Sequence, residues 1–195
     1  HMNLAAVAFE LRKWPEVLGE YDAAERSFKA AGKPFKPDPL TYYNRGVAYA
    51  ETGKFKQART ELDAAAKLAP KQMPIFLVRM NVLNTLGQTD AALADGATLA
   101  APGQPLFAYQ GLSNRSAILE DHGRSQEALV DADKAIALAP KEALAYNNRC
   151  MAAASLKRAD AIASCEKAIA IAPKNPSYWN SLGYAYEMAG KLKEA

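Results

Sequence analysis

The feature that most constrains this chain is a stop signal that recurs. The segments LDAAAKLAPKQ, ADKAIALAPKE and EKAIAIAPKNP each run an Ala-rich stretch into Ala-Pro-Lys, with the prolines at Pro70, Pro140 and Pro173. The first two prolines are 70 residues apart and the last two are 33 apart. That spacing is two periods and then one period of about 34 residues, which is the signature of a stacked array. Proline ends each stretch because it lacks an N–H and disfavours helix in the residue before it. A second mark falls about half a period away. YYNRGVAYAETGKFKQA, GLSNRSAILEDHGRSQEA and WNSLGYAYEMAGKLKEA each carry an apolar-periodic helix, a glycine, and a second helix opening near an alanine. The glycines are Gly53, Gly123 and Gly190, with Gly87 as a further one. Glycine just past a helix end readily takes the left-handed conformation that closes it. The unit is therefore helix, tight turn, helix, proline stop.

Composition agrees. Half of the 195 residues are hydrophobic, Ala dominates, and Ala, Leu, Lys, Glu and Arg lose little side-chain freedom in a helix. Val, Ile and Thr are too sparse for several strands, so the expected class is all-α. The formal charge is only +3, with both signs interspersed, which gives no support to nucleic-acid binding or a membrane-surface role. No apolar run reaches the roughly 18–20 residues that span a bilayer. No signal peptide is visible; His1-Met2 reads as a cloning remnant, with the natural N-terminus missing.

At these residues the chain resembles a tetratricopeptide repeat protein. That family places a large residue, Leu, a small residue, an aromatic, Gly, Ala, an aromatic, Ala and Pro at fixed offsets. In the unit from Pro39 they fall on Tyr42, Arg45, Gly46, Tyr49, Gly53, Ala58, Leu62, Ala65 and Pro70. The unit from Tyr109 supplies Leu112, Ser116, Leu119, Gly123, Ala128, Ala132, Ala135 and Pro140. The unit from Pro176 supplies Trp179, Leu182, Gly183, Tyr186, Gly190 and Ala195. The resemblance implies a right-handed α-solenoid of antiparallel helix pairs, about five to six units long. The expected units are 39–72, 73–108, 109–142, 143–175 and a partial 176–195, after a divergent N-terminal unit and linker over 1–38. The Ala-rich style suggests a bacterial source.

Departures from the pattern carry expectations of their own. The unit from Ala143 lacks the turn glycine, reads Leu156-Lys157-Arg158 there, and is one residue short. The unit from Met73 has a short second helix ending before Pro102, with Gly96 where an aromatic is usual. Trp14-Pro15 is expected to interrupt the first helix of the N-terminal unit, and Gly32 to Pro39 to form a stiff linker. The array stops at Ala195, early in a second helix.

Function, on this resemblance, is binding of a protein or peptide along the concave face of the first helices. The inner positions place Tyr43, Asn44, Leu77, Asn81, Asn84, Gln110, Asn114, Asn147, Asn148, Asn180 and Tyr184 on that face. Asn44, Asn114 and Asn148 occupy one equivalent position in three units. A side-chain amide offers both donor and acceptor, so a row of them can hold an extended backbone without reading its sequence. The alternative is that each amide bonds a neighbouring helix. Basic partners for a carboxylate clamp are missing, because Pro74, Val78, Leu144 and Asn148 stand where they would be needed. Glu51, Glu120, Asp121 and Glu187 make the face acidic in places and favour a partner with some positive charge.

Cys150 and Cys165 flank the Lys157-Arg158 turn at equal distance, one on each helix of a unit. A disulfide between them fits an antiparallel hairpin, and with it an exported or periplasmic location; two buried thiols are the other reading. Catalysis is disfavoured. The single internal histidine, His122, sits in a turn, no phosphate loop follows a strand, and no metal or cofactor is implied. The remaining alternatives are a regulatory domain of a larger enzyme and self-association, a homodimer through the final helix around Tyr178, Leu182, Tyr186 and Met188.

Overall fold

In the computed structural model, which describes residues 1–191, eleven α-helices and no strand occur among the described residues. The chain divides into two compact units, His1–Ala92 and the residues from Leu93 onward.

The first unit holds α1 (Met2–Glu10), α2 (Trp14–Ala30), α3 (Pro39–Glu51), α4 (Phe55–Leu68), α5 (Met73–Thr85) and the start of α6 (Thr89–Leu99). α1 pairs with α2 and α3 with α4, while α2 touches α3 and α4 touches α5. Trp14-Pro15 does not break a helix, as the sequence suggested; it opens α2, with the proline in the first turn. There the missing N–H costs nothing, because the first turn has no carbonyl to bond it. Pro39 opens α3 in the same way, behind an Asp38 cap that accepts from the Thr41 N–H at 2.7 Å. Ala5, Val17, Leu18, Tyr21 and Ala48 form the unit's first core cluster, with Phe9 and Trp14 against it.

The second unit holds the rest of α6, then α7 (Pro105–Asp121), α8 (Ser125–Leu138), α9 (Ala143–Ser155), α10 (Ala161–Ile171) and α11 (Pro176–Met188). α7 packs on α8 and α9 on α10, and the first helices α7, α9 and α11 also touch side by side. α7 reaches back to Pro105 rather than starting near Tyr109. α6 has 11 residues against 14 in α4 and α8, the shortening expected from Pro102. The last matched position of the family pattern, Ala195, lies outside the described residues.

Close approach of the helices rests on small residues. Ala58, Ala65, Ala128, Ala132, Ala135 and Ala168 are all fully buried. A Cβ at Gly111 would stand 2.5 Å from the Leu99 Cβ and 3.0 Å from the Gly96 carbonyl oxygen. Glycine is thus the residue that lets α7 sit on α6. At the turns, Gly53, Gly87, Gly123 and Gly190 have positive φ, whereas the unit from Ala143 puts Lys157 there at φ 53°. That same unit carries the disulfide: Cys150 and Cys165 are completely buried and joined, with Cα atoms 5.2 Å apart.

One arrangement escapes hydrophobic patterning. Arg45, Arg79, Arg115 and Arg149 stand where the family has Leu on the first helix, and each turns its guanidinium toward second helices. Arg45 lies 3.4 Å from Glu61 of its own helix pair and 3.7 Å from Glu25 of the preceding pair. Arg79 reaches Asp63 of the preceding helix pair at 3.1 Å. Arg115 makes a two-pronged pair with Asp131, at 2.5 and 2.7 Å. Arg149 donates to Asp133 of the preceding helix pair at 2.8 Å, and to Ser164 and Asp160 of its own repeat at 2.5 and 2.6 Å. A guanidinium has five donors in a planar fork, which is what such bridging needs. Arg158 and Arg149 together hold the Asp160 carboxyl well below the usual carboxylate range. Burial pushes the Glu61 carboxyl up despite the Arg45 charge beside it.

Candidate functional site

The first helices of the second unit present one continuous face, and the expected residues divide on it into two groups. Asn148 is buried, and its amide donates to the backbone carbonyl of Ser113 on α7 at 2.8 Å. In the first unit, buried Asn44 donates to the Tyr21 hydroxyl on α2 at 3.1 Å. These two amides fasten neighbouring helices to each other. Asn114, at the equivalent place on α7, is half-buried.

The second group is differently placed. Gln110 on α7 and Asn147 on α9 each hold a buried side-chain carbonyl oxygen that meets no donor among the described residues. Buried acceptors normally find a partner, and an unpaired one costs about 1–3 kcal/mol. Further along the face Ser155 of α9 donates to Glu120 of α7 at 2.5 Å and lies 3.2 Å from the Tyr184 hydroxyl of α11. Three successive first helices are thereby linked through one hydroxyl. The other Glu120 carboxylate oxygen is also buried without a partner among the described residues. Asn180 and Leu144 are exposed, and Met151 is half-buried.

In the first unit the face is made by α3 and α5. Tyr43 is half-buried with its ring 6.4 Å from that of Phe9, and burial pushes its phenol pKa up. Leu77 and Asn84 are half-buried and Asn81 is exposed. Glu51, Asp121 and Glu187 are exposed. His122 caps α7, its ring nitrogen 2.8 Å from the Ile118 carbonyl oxygen. Tyr178, expected on an open end face, is buried against Ala143, Ala168 and Ile169, while Leu182, Tyr186 and Met188 are half-buried. Among the described residues no group of three or more His, Cys, Asp or Glu is placed to hold a metal ion, and no helix is long and apolar enough to cross a membrane.

Antiparallel helix pairs stacked on small residues define a helical-repeat protein. Family models for the tetratricopeptide repeat match residues 39–72, 118–176 and 164–195. The chain is a tetratricopeptide repeat protein. Among solved structures it is similar to YrrB, described as a tetratricopeptide repeat protein with an unusual peptide-binding site, at 21% identity and TM-score 0.72 over 92% of this chain and 88% of that one. A tetratricopeptide repeat protein from Parabacteroides merdae matches at 20% identity and TM-score 0.79, over 99% of this chain and 73% of its own. TTC0263 of Thermus thermophilus matches at 25% identity and TM-score 0.63, over 80% and 85%. These likenesses concern the fold. No curated protein matches the sequence.

Proposed function

We infer that this chain is a non-catalytic scaffold that takes an extended segment of a partner protein along the first-helix face of its second unit. The carrying observation is that Gln110 and Asn147, half-buried on adjacent first helices, each hold a side-chain carbonyl oxygen with no donor among the described residues; rotation of either amide presents that oxygen to a partner N–H. An extended backbone supplies donors at regular intervals, and each bond gained contributes about 1 kcal/mol net. Tyr184 and Met151 add apolar contact, and Glu120, Asp121 and Glu187 favour a segment carrying Lys or Arg. Asn114 and Asn180 extend the polar surface. Asn148 serves the site indirectly, by holding α9 to α7. The peptide-binding description of YrrB accords with this use of the fold. In the first unit Tyr43, Leu77, Asn81 and Asn84 form the corresponding face. The disulfide favours an oxidising compartment, such as a periplasm, as the place of work.

The test is a pull-down from cell extract with the parent beside a Gln110→Ala/Asn147→Ala variant. Capture of a partner by the parent alone, with both proteins equally folded, supports the first-helix face. Equal capture by both proteins moves the contact elsewhere.

A further inference from the structure

The arginine series has one irregular member, and the irregularity lies beside a cavity. Aligning the second helices by their buried alanines, Ala58, Ala92 and Ala128, puts Asp63, Ala97 and Asp133 at one equivalent position. Asp63 and Asp133 are the carboxylates that Arg79 and Arg149 reach on the preceding helix pair. For Arg115 the counterpart is Ala97, an exposed residue that offers no acceptor. Among the described residues Arg115 therefore holds one carboxylate, Asp131, where Arg149 holds two. Its Nε and Nη2 are used by Asp131, and the side chain is 24% exposed. Beside it lies a cavity of ≈ 330 Å³, walled by Leu93 of α6, Leu119 of α7, and Val130 and Lys134 of α8. Val130 is 44% exposed, so the wall offers apolar contact next to the cation.

We propose that this cavity on the second-helix side is a second docking site, which receives an Asp or Glu side chain of a partner protein against Arg115. The incoming carboxylate does for Arg115 what Asp133 does for Arg149. Charge complementarity selects the occupant: Asp131 is already committed to Arg115 and Glu127 to Arg124, which leaves Lys134 at the rim as a further attraction for an anion. Apolar residues flanking the acidic one rest on Leu93 and Val130. The cavity is lined by α6, α7 and α8 and shares no lining residue with the groove proposed above.

The probe is the blocked tripeptide N-acetyl-Leu-Glu-Leu-amide, titrated into the full chain while the Arg115 Nε–H and Val130 methyl resonances are followed. N-acetyl-Leu-Gln-Leu-amide is the neutral control. The Glu peptide is expected to bind at least about tenfold tighter than the Gln peptide, a factor equivalent to about 1.4 kcal/mol. Ala97→Asp supplies the carboxylate within the chain and is expected to weaken the Glu peptide at least about tenfold. Ala97→Asn, of the same size without the charge, leaves its affinity near that of the parent. Equal affinity for the two peptides overturns the proposal, as does an Ala97→Asp protein that binds like the parent. Equal loss in the Asp and Asn variants also overturns it, because shape rather than charge would then be responsible. The two peptides on the parent decide the matter even if a variant fails to fold.

Discussion

The side-chain amide of Asn148 donates to the backbone carbonyl of Ser113, 2.8 Å away on the neighbouring first helix, and both residues are buried. An asparagine on a face expected to grip a partner is instead a fastening between successive repeats of the second unit. Its neighbour Asn147 keeps its side-chain oxygen unpaired. Asn148→Ala should therefore lower stability by about 1 kcal/mol, the usual net value of one such bond. Asn147→Ala should leave stability unchanged or raise it slightly. Urea unfolding of the two variants checks the contrast; equal losses would contradict it.

The Cys150–Cys165 disulfide closes a loop with a sequence separation of 15 residues. A crosslink over a loop of that length contributes about 3 kcal/mol. Reduction, or Cys150→Ala/Cys165→Ala, should lower the thermal midpoint by several degrees. Alkylation under denaturing conditions followed by mass spectrometry checks the bond itself. No label is expected before reduction and two labels after it.

Lys157 holds φ 53° where four other turns have glycine. A non-glycine residue there costs about 1–2 kcal/mol, so Lys157→Gly should stabilise the chain despite the extra freedom glycine has when unfolded. Thermal unfolding measures it, and a lowered midpoint would show the lysine side chain to be making up the difference.

Two helical glycines should respond oppositely to alanine. At Gly111 the added Cβ meets Leu99 at 2.5 Å and the Gly96 carbonyl at 3.0 Å, and overpacking of that kind costs about 1–3 kcal/mol. At Gly183 nothing among the described residues lies within 4 Å, and alanine should stabilise by about 0.5–1 kcal/mol through helix propensity. Chemical denaturation of the pair decides it.

The Asp160 carboxyl is held low by Arg158 and then Arg149. A depressed folded-state pKa gives stability that is present above the ordinary carboxylate value and lost as pH falls through the depressed one. Asp160 is 39% exposed, so screening keeps the contribution small, about 1 kcal/mol or less. Asp160→Asn should lower the thermal midpoint at pH 7, with the difference from the parent shrinking as the pH is taken below 4.

The punctuation of this fold was open to reading because it depends on single residues with unusual backbones. Pro70, Pro140 and Pro173 end second helices, and the turn glycines end first helices, whatever surrounds them. Equal spacing of Cys150 and Cys165 about the turn allowed a disulfide but equally two buried thiols, and the sequence did not choose between them. Other features depend on context that one position does not carry. Trp14-Pro15 looks the same whether it breaks a helix or begins one; the packing of Trp14 on Phe9, with ring centroids 5.5 Å apart, decides. The start of α7 at Pro105 was hidden by the irregular stretch after the short α6. An asparagine at an inner position points either outward or sideways, and only the distance to the next helix separates Asn147 from Asn148. The arginine series carries a sequence signal of its own: Arg45, Arg79, Arg115 and Arg149 recur at the repeat spacing in a place where the family has Leu. An ionic residue repeated at an apolar position implies acids on the flanking helices.

The most direct measurement of the scaffold's working surface is a nuclear magnetic resonance titration with a Lys-containing peptide selected on the parent protein from a random display library. If the first-helix face of the second unit is the binding surface, the largest shifts fall on Gln110, Asn147 and Tyr184, and Gln110→Ala/Asn147→Ala weakens binding at least about tenfold. Shifts confined to the second helices α8 and α10, with affinity unchanged in that variant, would contradict it.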